Sequence, residues 1–233
     1  MKRLIVNGCS YMNHYAQGNG HHDLANSLGI HHADDLSFPG SCNDRIIRTT
    51  LRDSYHTDQR TFYILGMTFL NRTEMPILKN TTTDGRWKSF QNFPTKDDWA
   101  WPWTDSDTKK FIDLFLKSQF LNMEDRIEDL MYKLLALVSD LRSRGHRVLI
   151  FQQAEDRYQE FLSDLKLFDT DPVFVDGFRW CAVPWQLKQG ALPVQEELLN
   201  HDIPGHMLHI QPNQHQGLNE FLLDYVKKFK ILE

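Results

Sequence analysis

Apolar positions along the chain follow two rhythms. Short unbroken runs read as buried strands: "RLIVN" (3–7), "TFYILG" (61–66) and "HRVLIFQQ" (146–153), the first two stopped by Gly8 and Gly66. "PVFVDG" (172–177) predicts a fourth. Between them the apolar residues recur at helical spacing. "HHDLANSLGI" carries Leu24, Leu28 and Ile30 and closes at Gly29, and "NDRIIRTTLRDSY" starts at Asn43 as N-cap with Ile46, Ile47, Leu51 and Tyr55 on one side. "MEDRIEDLMYKLLALVSDLRSRG" aligns Ile127, Leu130, Leu134, Val138 and Leu141 and stops at Gly145. "DRYQEFLSDLKLF" predicts another helix, and "NQHQGLNEFLLDYVKKFKIL" an amphipathic closing helix capped by Asn213. "HHADDLSFPGSCN" reads as a loop turning at Pro39-Gly40.

Strands alternating with helices predict an α/β domain whose mostly parallel sheet is covered on both faces, with its sites at the carboxyl ends of the strands. The turn Gly8-Cys9-Ser10 follows the first strand and falls on that rim. From Lys79 to about Asp107 no period is sustained, which predicts a long irregular insertion within one domain spanning 1–233. In it Trp99, Trp101 and Trp103 recur at period two. Extended, they would present three indoles on one side, to stack on a sugar ring, to anchor the insertion, or to bury a contact between copies of the chain.

Composition narrows the classes. With 233 residues, 41% apolar, the chain is long enough for one generous core. A net charge of -5 with both signs interspersed argues against a nucleic-acid partner. Three cysteines are too few for a disulfide framework, which predicts a reducing, cytoplasmic setting. The apolar run after Met1-Lys2-Arg3 is too short for a signal peptide, and no run approaches a membrane span, so no membrane partner is expected.

A serine hydroxyl becomes a nucleophile once a base takes its proton and donors meet the developing oxyanion. Ser10 sits where a helix N-terminus would supply such donors. Gly8-Cys9-Ser10 after a strand, "FPGSCNDRIIRTT", "YILGMTFLNR" and "GHMLHIQPNQHQGLNEF" before the last helix together resemble, in order and spacing, the four blocks of the SGNH/GDSL hydrolase superfamily. The resemblance covers roughly 1–75 and 200–230, with Cys9 standing where the family has aspartate.

It implies a three-layer α/β/α sandwich of flavodoxin-like type and an esterase, deacetylase or acyltransferase acting on an ester of a small molecule or O-acylated sugar, with no cofactor. It implies Ser10 as nucleophile and Gly40 as an oxyanion donor. Asn71 takes the third block's place two residues late, with Thr68 as the other polar group there. His209 is the base, with His215 second. No aspartate stands at the position that should orient it.

Other readings stay open. Arg45 follows the Gly40 loop and could meet a substrate carboxylate or phosphate, while Arg48 and Arg52 read as a solvated stripe. Arg72 and Glu74 read as an ion pair on the rim. Cys9 is either a second nucleophile or a strand-end filler. The His21-His22 and His31-His32 pairs beside Asp23, Asp34 and Asp35 suit a divalent metal in residue type, so a metal-dependent hydrolase is one alternative. A non-catalytic module binding a glycan or protein through the tryptophan segment is another.

Overall fold

The computed structural model describes residues 1–70, 72–76, 87–91, 110, 114, 123–153, 166–192 and 210–233. β1 (Arg3–Asn7) is buried on both sides after its first residue, as an unbroken apolar run requires of an interior strand. It lies between β2 (His32–Asp35) and β3 (Thr61–Met67), and β3 pairs onward with a strand over Arg147–Gln152, here β6. Every pairing in this four-stranded sheet is parallel, with Val6 opposite Asp35 on one side and Ile64 on the other. The protein is thus α/β with a parallel central sheet.

Alternation along the strands divides the core. Leu4 and Val6 enter one apolar cluster with Tyr11, Met12 and Tyr15 of α1 (Ser10–Gln17), Leu24 of α2 (Gly20–Ser27), and Leu218, Leu222 and Val226 from a helix over Gln216–Lys228. Ile5 enters a second cluster with Ile46 and Ile47 of α3 (Asn43–His56) and Leu134, Val138 and Leu141 of α4 (Met123–Ser143). The last three residues of the sequence-predicted helix over 156–168 are described, within α5 (Lys166–Asp169). They precede a 3-10 turn over Val175–Phe178, α6 (Ala182–Lys188) and the closing helix α7 (Gln216–Lys228). Among the described residues no helix is long and apolar enough to cross a membrane.

Several local expectations are corrected. β2 occupies the front of the stretch read as a loop. It is an edge strand with a single buried residue, Ala33, so no apolar period announces it. "PVFVDG" forms one parallel bridge, Phe174 to Ile150, and then turns through Asp176 and Gly177 at positive φ, so no ladder extends. β4 (Arg72–Pro76) pairs antiparallel with β5 (Trp87–Gln91), which places a strand inside the segment expected to be irregular. The N-caps are Cys42 and His215 rather than Asn43 and Asn213.

The two chain ends meet at α1, α2 and α7. Tyr15 donates to Asn219 Oδ1 at 2.6 Å, and Asn219 Nδ2 donates to the Gly20 carbonyl at 3.0 Å. At the end of α1 a Cβ on Gly18 would lie 1.5 Å from the Pro212 carbonyl oxygen, a backbone atom that cannot swing aside. Gly18→Ala is therefore expected to destabilise the protein by at least about 1–3 kcal/mol through overpacking, read as a lower midpoint in urea unfolding. An unchanged midpoint would mean that the ends are not in contact.

Candidate active site at the exit of the central strand

β1 is flanked on both sides, so the segments leaving β2 and β3 border its carboxyl end. Cys9, extended at φ -95 and ψ -154, is the N-cap of α1, and Ser10 is that helix's first residue. The first helical hydrogen bond runs from Asn13 N to the Cys9 carbonyl at 3.0 Å, so the amides at the start of α1 have no acceptor within the helix. Ser10 is 9% exposed, with Oγ 3.8 Å from Cys9 Sγ. The Cys9 thiol is buried and donates to Gln153 Oε1 at 2.8 Å, as a strand-end filler would.

Beyond β2 the chain stays fastened to β1. Leu36 N donates to the Val6 carbonyl at 2.9 Å, and Phe38 N to the Gly8 carbonyl at 3.1 Å. This carries the Pro39-Gly40 turn to the exit of β1. Gly40 sits at φ +76, which a side chain would strain, and no acceptor among the described residues takes its N–H. Asn43 closes the other side: its amide donates to the Thr68 carbonyl at 3.0 Å and accepts from Thr68 N at 2.8 Å, tying the start of α3 to the exit of β3.

Ser10 and Gly40 are thus brought to one rim. Arg45 reaches it too, but its Nη1 donates to the Leu36 carbonyl at 3.2 Å and to Ser41 Oγ at 3.1 Å, with the guanidinium 5.0 Å from the Phe38 ring centre. Asn71, His209 and the three tryptophans of the insertion lie outside the described residues. Thr68 Oγ1 accepts from Arg72 Nη1 at 3.0 Å.

His215 is not joined to Ser10. Its ring lies edge-on to Tyr15 and Tyr11, with centroids 5.1 and 5.8 Å away, and its Nδ1 is 3.2 Å from Gln186 Nε2. The Gln186 amide is oriented by Tyr11 donating to its oxygen, so its nitrogen donates to the Gln214 carbonyl and to His215 Nδ1. That fixes the imidazole as the Nε2–H tautomer, and burial, helped by the nearby His14, pushes its pKa down to about 4.

The other candidates resolve as follows. His21 is buried beside His22, with centroids 4.1 Å apart, and burial followed by that neighbour's charge lowers it to about 4. His32 pairs with Asp34 at 3.3 Å on the surface. Among the described residues no three histidine, cysteine or carboxylate side chains gather as a metal cluster. Glu74 pairs with Arg48, at 2.8 and 2.9 Å, and not with Arg72 as expected. Asp35, at the exit of β2, is bonded by Ser37 and Asn13. Burial outweighs those bonds and the field of Arg45, and raises its carboxyl.

Residues that tie the rim together escaped sequence reasoning: Gln153, which bonds both Cys9 and the Gly66 carbonyl, and Asn43 in its bridging role. Their common signal is a polar side chain placed immediately after a strand or at the start of a rim helix.

No known family profile matches the chain, and no curated protein does. Among solved structures, a candidate acylhydrolase from Bacteroides fragilis NCTC 9343 is similar at 11% identity and a TM-score of 0.44, over 97% of this chain and 87% of that one. A likeness at that level leaves function to be argued from this chain's own side chains.

His21 and His215 make stability depend on pH in a defined direction. Their folded pKa values, about 4, lie below the ordinary histidine value of 6.5, so the unfolded chain binds protons that the folded chain refuses. Their contribution is complete above pH 6.5 and is lost as pH falls toward 4, by up to about 3 kcal/mol per ring. Urea midpoints across that range should fall for the native chain, and His215→Gln should start lower but fall less steeply. Equal slopes would show that His215 is not held neutral.

Proposed function

We propose that the protein is a serine hydrolase of SGNH/GDSL type, a three-layer α/β/α sandwich that acts on an ester of a small molecule or O-acylated sugar. The observation that carries this is the placing of Ser10 as the first residue of the helix leaving the central strand, with the Gly40 turn fastened to that strand by the Leu36–Val6 hydrogen bond and to its exit by the Phe38–Gly8 one. The apolar clusters on Val6 and Ile5, on opposite faces of β1, agree with three layers.

In this reading the Ser10 hydroxyl attacks the acyl carbon and His209 takes its proton. The tetrahedral oxyanion is met by the backbone N–H groups of Ser10 and Gly40, with Asn71 as a third donor. Collapse expels the alcohol, which receives the proton from the imidazolium. Water then releases the acid, or a second alcohol accepts the acyl group. No dissociable cofactor enters. His215 serves as a positioning residue that holds α7 against α1.

A second reading, a non-catalytic binding module on the same fold, is favoured by one observation: the His215 ring is engaged by Gln186. A fluorophosphonate probe separates the two. Ser10 should gain the probe's mass, Ser10→Ala should not, and His209→Ala should slow labelling by about 100-fold or more. His215→Gln should slow it by less than about tenfold. A chain left unlabelled under conditions that label a control esterase would overturn the serine hydrolase and favour the binding module.

A further inference from the structure

Arginines at the two ends of the sheet are treated differently. At the entry end, Arg3 donates to Asp34 at 2.8 Å and to both oxygens of Asp53, at 3.0 and 2.9 Å. At the exit end, Arg72 is 7% exposed and, among the described residues, its guanidinium donates only to neutral groups. Its Nη1 donates to Thr68 Oγ1 at 3.0 Å and, weakly, to the Ser41 carbonyl at 3.4 Å, and its guanidinium lies 5.1 Å from the Phe69 ring centre. Among the described residues no carboxylate pairs with it, because Glu74, two positions on, is bound by Arg48. Its Nε is buried without an acceptor, and no acceptor among the described residues meets Nη2.

The Nε–Nη2 edge is the side of a guanidinium that grips a carboxylate or phosphate through two parallel hydrogen bonds. A cation withdrawn from water with that edge unused is costly unless an anion completes it. Its place gives the anion a role. Thr68 leaves β3 and Ser41 precedes α3, so Arg72 spans the two loops that border the exit of β1 and its Ser10.

We infer that Arg72 is a substrate-binding residue that takes an oxyanionic group, carboxylate or phosphate, side-on through Nε and Nη2, so that the ester cleaved at Ser10 carries a negative charge. Calling the anion a substrate rests on the hydrolase reading; the anion site itself does not.

Thermal unfolding of the full chain with inorganic phosphate, and separately with acetate, tests the site without turnover. With anion at about ten times its Kd the wild-type midpoint should rise by roughly 3–6 °C. A response to phosphate alone assigns the group as phosphoryl, and a response to both assigns an oxyanion in general. Arg72→Met should unfold no earlier than wild type without anion and should lose the shift.

A wild-type chain that does not respond, a shift that persists in Arg72→Met, or a lower anion-free midpoint in that variant would overturn the proposal. If Arg72→Met does not fold, Arg72→Lys decides: binding weakened about tenfold or more supports the side-on grip, and undiminished binding overturns it. In wild type, phosphate should raise KM for a carboxylate-bearing ester without changing kcat. Binding without such competition would remove the substrate role, whereas failure of Ser10 to react with a fluorophosphonate would leave the anion site standing.

Discussion

The 2.6 Å hydrogen bond from Tyr15 to Asn219 joins residues 204 positions apart in the chain, and the junction around it sets the direction of the first helix. α1 carries Ser10 at its first position and Tyr11 and Tyr15 on its buried face. The same face receives the His215 ring, the Gln186 amide and the end of the chain through α7. Tyr11, Tyr15, Gln186 and His215 are buried in this junction, so losing one of their partners leaves another unsatisfied in a low-dielectric setting. α1 is thereby held against rotation, and a serine on its first turn keeps a fixed aim. The segment that precedes α7 is drawn to the same end of the molecule by the contact of Pro212 with Gly18.

On that fixed helix the rim is assembled from neutral hydrogen bonds rather than charge pairs. Backbone pairing continues from β2 to Phe38, Asn43 makes a two-way bridge to Thr68, and Gln153 fastens the exit of β3 to Cys9. Such bonds fix amide directions without filling the site with counter-ions. The charge at this end includes Arg45 and Arg72, while the Asp35 carboxyl is raised by burial and Glu74 is taken by Arg48. On the proposed hydrolase reading, an uncharged acyl carbon bearing an anionic arm would suit that field.

How much of this could be read in advance follows from burial. β1, β3 and β6 are covered on both faces and so appear as unbroken apolar runs, whereas the edge strand β2 shows only Ala33 to the core and left no pattern. "PVFVDG" has the composition of a strand, yet Gly177 and Asp176 at positive φ end its pairing after one bridge. Asn43 has the chemistry of a cap, but its amide is taken by Thr68 and the cap falls to Cys42, whose side chain accepts from Arg45 N at 3.4 Å. The places of Ser10 after β1 and of Gly40 in a turn were legible because strand exits and glycine turns are local features. The partners of Arg48, Gln153 and His215 are tertiary, and no spacing along the chain encodes them. Glu74 shows the difference: its neighbour in sequence is Arg72, and its partner in space is Arg48.

The most direct measurement of the central claim is a crystal structure of the chain after covalent reaction with an organophosphonate that mimics the tetrahedral state. The phosphorus should sit on Ser10 Oγ, its non-bridging oxygen within hydrogen-bond distance of the Ser10 and Gly40 amides, and the His209 imidazole against the serine oxygen. His215 should stay bonded to Gln186. An adduct whose oxygen points away from Gly40, or with no imidazole of the closing segment beside the serine, would contradict the account.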